Sequence, residues 1–361
     1  MAFKFQLRKH PNALFTAILL VALVVANCGV ATLSAQCAKP SVATHKSASP
    51  SIKSPQLVWV DTDIGDDIDD AFAVGLLLTN PTVKILGVST AFGDTELRAR
   101  LLDRFFATTG HGFHNTEPIP VTAGVHSETD NVMTQAAYAK ESPTKTHPDG
   151  INALLEQIRQ HPGKVTLIAI GPLFNIGAAI DRDPQTFRKV QRVVLMGGSI
   201  DRGYDDGKTG AHRPPDAEWN INRDPRDAAK LFASGVPIFV MPLDSTQIHL
   251  EAADREKLFA DKSPLVANIK LLYDQWVANT GNHSPTPTLF DPVAVAYALN
   301  PEICPMQPMR LRIDEKGFTI KEEGKPNAHV CMKSDEKAFM QMVLPDLGAS
   351  AGLACASSEE K

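Results

Sequence analysis

Six aspartates fall within ten residues in the run DTDIGDDIDD at 61–70. Carboxylates this close repel one another, and burial raises their pKa values, so the folded chain needs a compensating positive charge. A divalent cation is the obvious candidate. Asp61 and Asp63 stand two apart after the apolar run LVWV at 57–60, Gly65 lets the backbone turn, and Asp69 and Asp70 open the apolar run AFAV. Negative side chains suit a helix N-terminus. Such a turn can converge Asp63, Asp67 and Asp70 on one point and offer the hard oxygen ligands that Ca2+ or Mg2+ prefers. The plain alternative is a solvated acidic loop followed by a helix cap. The flanking apolar runs count against it, because they pin the cluster to a core.

The elements that would position these residues alternate. LVWV precedes a helix-length segment at 68–79, KILGVST one at 95–109, KVTLIAI one at 172–181, and VQRVVLM one at 224–234, with VPIFVMP closing the series. This predicts an α/β fold: a mostly parallel open sheet flanked by helices, with a Rossmann-like core. Ligands of such sheets sit beyond the carboxyl ends of the strands. The aspartate run, Gly93-Asp94, Gly171 and Gly197-Gly198 all fall at those ends. The segment SIDRGYDDGKTGAHRPPDA at 199–217 is too long for a simple turn, and long loops in compact domains are commonly functional or mobile. An EF-hand is disfavoured, since Gly65 comes too early and no Glu stands twelfth from Asp61 or Asp63. An aspartyl phosphatase, which has Gly-Thr after its D-x-D, is disfavoured by Ile64-Gly65.

The rest of the chain sets bounds. With 361 residues, 43% of them hydrophobic, the chain can bury a large core, and a net charge of -5 argues against a nucleic-acid partner held through phosphates. Residues 1–35 read as a signal peptide: Lys4, Arg8 and Lys9 precede LFTAILLVALVVA, which is short for a membrane span, and small residues follow. A secreted or periplasmic protein with no stable membrane span is the expectation. Residues 36–55 read as a flexible linker, 56–345 as one large domain and 346–361 as a disordered tail. No small residue directly precedes Cys28 or Cys37 to suggest lipidation, and no Cys/His cluster suggests zinc. Cys304 and Cys331 are candidates for a disulfide that spacing alone leaves open.

Six blocks in order resemble the inosine/uridine-preferring nucleoside hydrolases: the aspartate run, TAFGD at 90–94, AIGPLFNIG at 169–177, VVLMGG at 193–198, AEWN at 217–220 and FDPVAVAY at 290–297. The resemblance implies a Ca2+ ion held by Asp63, Asp70, the main-chain carbonyl of Ile170, and Asp291. It implies Asp63 as the general base toward the attacking water, with Asp69, Glu218 and Asn220 on ribose hydroxyls. The expected reaction is hydrolysis of a ribonucleoside to ribose and free base, and a homo-oligomer is a candidate state. Glu218 and Asn220 could instead cap the helix expected from Asp224, and Asp291 could be an N-cap before Pro292.

The chain also departs from the family pattern. Phe290 stands where many members have a histidine that assists the departing base; an aromatic ring stacks on a base but donates no proton. His147 lies where some relatives carry another histidine, Asp94 replaces a common asparagine, and the usual asparagine before AEWN is missing. Asp94, His147 and Phe290 are therefore kept as substrate-site candidates. Two alternatives follow: a metal-dependent nucleoside or ribose receptor that has lost hydrolysis, and an N-ribohydrolase acting on another ribosyl compound, for which the 199–217 insert would be the reason.

Overall fold

Among the described residues, nine strands form one sheet: β1 (Gln56–Thr62), β2 (Val83–Thr90), β3 (Val121–Ala123), β4 (Val165–Ala169), β5 (Arg192–Met196), β6 (Ile238–Met241), β7 (Met306–Ile313), β8 (Thr319–Glu322) and β9 (Ala328–Cys331). Their order in the computed structural model, which describes residues 54–109, 117–205, 213–281 and 284–348, is β3-β2-β1-β4-β5-β6-β9-β7-β8. The pairs from β3 across to β9 are parallel, while β7 runs antiparallel to both β8 and β9. The expected mostly parallel, helix-flanked sheet is present. The signal peptide expected at 1–35 and almost all of the linker expected at 36–55 lie outside the described residues, as does most of the tail expected at 346–361; residues 346–348 of that tail instead close the helix Glu336–Gly348, so its start is corrected to beyond Gly348.

Strands of a parallel sheet are covered on both faces, so they read as unbroken apolar runs. Here Val58, Val60, Ile168 and Val194 pack in one cluster with helices Asp69–Thr79 and Phe290–Leu299. Trp59, Leu167, Val193 and Leu195 pack in a second with helices Gly150–Gln160, Phe174–Arg182 and Pro225–Ala233. Helix Asp69–Thr79 has no polar face because it is enclosed: Asp69 through Leu78 are all buried.

The chain winds outward from β1 through β2 to β3, then returns to β4 on the other side of β1. That reversal opens a crevice beyond the carboxyl ends of β1 and β4, the usual ligand position in open α/β sheets. The aspartate run leaves β1 there. Register beside it depends on a glycine: the β1–β2 pairing shifts between Val58 and Trp59, bringing Trp59 opposite Gly87, where a Cβ would lie 2.5 Å from the indole.

Strands β3, β7, β8 and β9 were not among the expected elements, nor were helices such as Gly150–Gln160, Ala252–Ala260, Pro264–Asn279 and Glu336–Gly348. The physical reasons differ. β3 is only three residues long, and β7 alternates buried Met309, Leu311 and Ile313 with exposed positions, so neither forms an apolar block. Cys304 and Cys331 form a disulfide, Cα to Cα 5.8 Å, that ties the approach to β7 to the end of β9.

Candidate functional site

The loop between β1 and helix Asp69–Thr79 is held in shape through its carbonyls. Arg98 Nη1 donates to the carbonyls of Asp63 and, at 3.0 Å, of Ile64. Gln135 N donates to the carbonyl of Gly65 at 3.0 Å, Thr134 Oγ1 to that of Asp66 at 2.5 Å, and Gln135 Nε2 to that of Asp67 at 2.8 Å. Five successive carbonyls thus have partners, which leaves the carboxylates as the loop's available ligands. Gly65, at φ 121°, makes the turn against Met133, whose Cε would be 2.3 Å from any Cβ there.

The carboxylates converge. Oxygens of Asp69, Asp70 and Asp291 lie within 4.8 Å of one another, and all three residues are buried. Asp69 Oδ2 accepts the backbone N–H of Asp291 at 3.1 Å, and Asp70 Oδ1 accepts from Thr62 Oγ1. Burial first, then repulsion from neighbouring aspartates, pushes all three carboxyls well above the ordinary range. Asp63 lines the same cavity; burial pushes its carboxyl up to about 7, and Arg98 opposes that rise. A buried, oxygen-only group of this kind fits a hard divalent cation and can hold one. Geometry adds Asp69 to the ligand candidates beside Asp70 and Asp291, and it places Ile170, just past β4, on the cavity wall.

The cavity measures about 580 Å³. Glu218 and Asn220 line it as well, both buried. Glu218 does cap a helix, as the plain alternative held, but it is the short one at Trp219–Asn222: its carboxylate accepts from the N–H groups of Asn220 at 2.9 Å and Ile221 at 3.2 Å, and from Gly198 N at 2.9 Å. Burial nevertheless pushes it up to about 7. The helix Pro225–Ala233 is capped by Asp224 itself. Phe290 lines the cavity with its ring edge-on to Tyr204 at 6.1 Å, and Trp219 and Trp276 add further aromatic lining. Asp291 lies in the first turn of helix Phe290–Leu299; Leu289, not Asp291, is the N-cap.

Two expected substrate residues are elsewhere. Asp94 is exposed and accepts from Leu97 N at 2.9 Å, the local bond of a residue opening a helix, and it does not line the cavity. His147 has a fully buried ring with Nδ1 2.6 Å from Glu96 Oε2 and Nε2 2.9 Å from Asp103 Oδ2. Both nitrogens are engaged within the fold, so its role is to fasten a loop. Asp61 is likewise internal: Ser89 Oγ and Asn175 Nδ2, the latter at 2.7 Å, donate to its Oδ1, and burial carries it to about 6.

Reasoning from sequence missed Arg98, Tyr204, Trp219 and Trp276. Only Trp219 carried a signal, as the neighbour of Glu218 in AEWN. Tyr204 reaches the site because the insert is stitched to the fold: Asp244 accepts from Ile200 N at 2.9 Å and Asp201 N at 2.8 Å, and Gln247 Oε1 accepts from Asp205 N at 2.6 Å. Its hydroxyl accepts from Trp219 N at 3.0 Å.

The family profile for inosine-uridine preferring nucleoside hydrolases matches residues 58–341. A pyrimidine-specific ribonucleoside hydrolase RihA of Shewanella sp. (strain MR-7) is 30% identical over 318 residues, covering 80% of this chain and 95% of that protein. Uridine nucleosidase 1 of Arabidopsis thaliana is 28% identical over 277 residues, covering 72% and 79% respectively. The solved structure of a plant nucleoside hydrolase superposes with a TM-score of 0.69 at 23% identity, over 82% of this chain and 99% of that one, which supports the fold. With the matching profile spanning most of the described residues and the acidic pocket at the expected end of the sheet, the chain belongs to the inosine-uridine preferring nucleoside hydrolase family, enzymes that hydrolyse N-glycosyl bonds.

Proposed function

We propose that this protein is a Ca2+-dependent ribonucleoside hydrolase that releases ribose and free base outside the cytosol. The observation that carries the reading is the convergence of Asp69, Asp70 and Asp291 within 4.8 Å on the lining of a cavity that Asp63 also lines. Asp69, Asp70 and Asp291 would hold the ion, with Asp63 and the carbonyl of Ile170 completing its oxygen donors. When bound, a divalent cation supplies Lewis acidity that makes a water nucleophilic near neutral pH.

The chain's own residues supply the rest. Asp63 takes the proton as the water oxygen bonds to the anomeric carbon and the base leaves with the glycosidic electrons. Glu218 and Asn220 bind ribose hydroxyls, interactions that gain strength as the ring acquires oxocarbenium character. Phe290, Tyr204, Trp219 and Trp276 offer the aromatic lining that a nucleobase needs. Location outside the cytosol is supported by the signal-like residues 1–35 and by the Cys304–Cys331 disulfide, a bond favoured in oxidising compartments. The names of the relatives support nucleosides as substrates.

Phe290 favours a second reading, a metal-dependent nucleoside receptor, because the side chain beside Asp291 has no proton for the leaving base. One experiment separates the two. Residues 36–361 are incubated with a panel of ribonucleosides, with Ca2+ or with chelator, and released reducing sugar is measured beside the Asp63→Asn variant. Ca2+-dependent release that the substitution abolishes supports the hydrolase; tight Ca2+-dependent binding without sugar release would replace it with the receptor.

A further inference from the structure

We propose that Asp66 and Arg98 form a part-buried brace that holds the aspartate loop in its cation-binding shape, with Asp66 serving the loop and not the ion. The inference rests on the reading that the loop holds a divalent cation. Asp66 lines the cavity together with six other aspartates, so by type it looks like one more ligand. Its oxygens are not in the group formed by Asp69, Asp70 and Asp291. Instead Asp66 Oδ2 is 2.7 Å from Arg98 Nη2, with the two side chains 18% and 3% exposed.

Arg98 comes from helix Thr95–Thr109 and uses its guanidinium as a three-way tie. One nitrogen holds the carbonyls of Asp63 and Ile64, a second holds Asp66, and Nε donates at 2.7 Å to the carbonyl of Phe92. Phe92 is a non-glycine residue at φ 63°, and its ring lies edge-on to Trp219 at 5.8 Å. A single side chain therefore joins the residue proposed as the base to the turn whose Phe92 ring packs against the cavity residue Trp219. Lysine could not do this, since it has no planar fork of donors. The competing role for Asp66 is as a ligand through Oδ1, which is buried and has no hydrogen-bond partner among the described residues.

The sign of one effect separates a brace from a simple charge. As a positive charge alone, Arg98 repels a cation, so its removal would tighten cation binding. As a brace, its removal loosens binding, by the 10- to 100-fold typical of groups that orient metal ligands. The test is calorimetric titration of residues 36–361 with Ca2+ for the wild type, Arg98→Met, Arg98→Lys, Asp66→Asn and the double variant Arg98→Met/Asp66→Asn, with melting of each in chelator. The expected result is weaker Ca2+ binding in every variant, no rescue by lysine, and a double variant no worse than the weaker single. Tighter binding by Arg98→Met, or recovery by Arg98→Lys, would overturn the brace. So would an Asp66→Asn penalty that persists in full beside Arg98→Met, which would make Asp66 a ligand. If Arg98→Met does not fold, Arg98→Lys with Asp66→Asn completes the same cycle. If the wild type takes up no Ca2+, the cation reading fails by itself, and the brace then stands or falls on whether the two substitutions are non-additive in the chelator melts.

Discussion

Two clusters of ionisable groups flank the helix Thr95–Thr109, and they are opposites. In one, His147 sits between Glu96 and Asp103, and Lys145 Nζ reaches Asp103 at 2.8 Å, so both carboxylates have partners inside the cluster. In the other, Asp63, Asp69, Asp70 and Asp291 crowd together with Arg98 as the cation that moderates Asp63 and Asp70. The first cluster is closed and has nothing left to bind. The second carries surplus charge of one sign beside a cavity, which is what a site looks like when its partner is a cation. Residue type cannot separate them; charge balance does.

The largest effect that would sharpen this contrast is loss of the base. Asp63→Asn is expected to lower kcat by roughly 10²- to 10⁴-fold while leaving the KM for nucleoside within a few-fold, as read by steady-state sugar release. A much smaller loss would move the base elsewhere.

The surplus charge also sets a pH dependence. Asp63 and Glu218, both raised to about 7, have folded-state values above their unfolded ones. Protonation therefore stabilises the fold at low pH, and that contribution is lost as pH rises through about 7. In chelator, the melting temperature should climb as pH is lowered from about 8 to about 5, and saturating Ca2+ should flatten or reverse that slope because the ion competes with protons. A chelator profile that falls on acidification would show the carboxylates are compensated some other way.

Breaking the closed cluster should do something different. His147→Gln is expected to cost about 1–3 kcal/mol in denaturant unfolding, through two carboxylates left with a poorer partner, with kcat within twofold of wild type. Loss of activity at unchanged stability would return His147 to the site. The smallest effect is expected at Phe290→His, where a new imidazole beside the aromatic lining should raise kcat by no more than about tenfold and add an acid-dependent limb to its pH profile. No change would indicate that the departing base is not limiting.

Much of the core was legible in the chain because the buried strands of a parallel sheet cannot hide. LVWV, KILGVST, KVTLIAI and VQRVVLM became β1, β2, β4 and β5, and the helix expected at 95–109 has those bounds. The half-exposed β7 and the three-residue β3 gave no comparable pattern. At the site, Asp63, Asp70, Ile170, Glu218, Asn220, Phe290 and Asp291 were readable as blocks at strand ends, and all of them line one cavity.

What the sequence by itself determined was the type and order of the chemistry: acidic groups at the end of the first strand, a Glu and an Asn after the fifth, and an aspartate opening a late helix. What the tertiary structure alone decided was which of those groups face one another. Asp69 joined the converging carboxylates, Asp94 and His147 turned to local partners, and Tyr204 and Arg98 reached the site from segments that carry no motif. The reason is distance along the chain: motif spacing governs a turn or a helix end, but the meeting of Asp69 with Asp291, or of Arg98 with Asp66, is set by how the sheet and its helices pack.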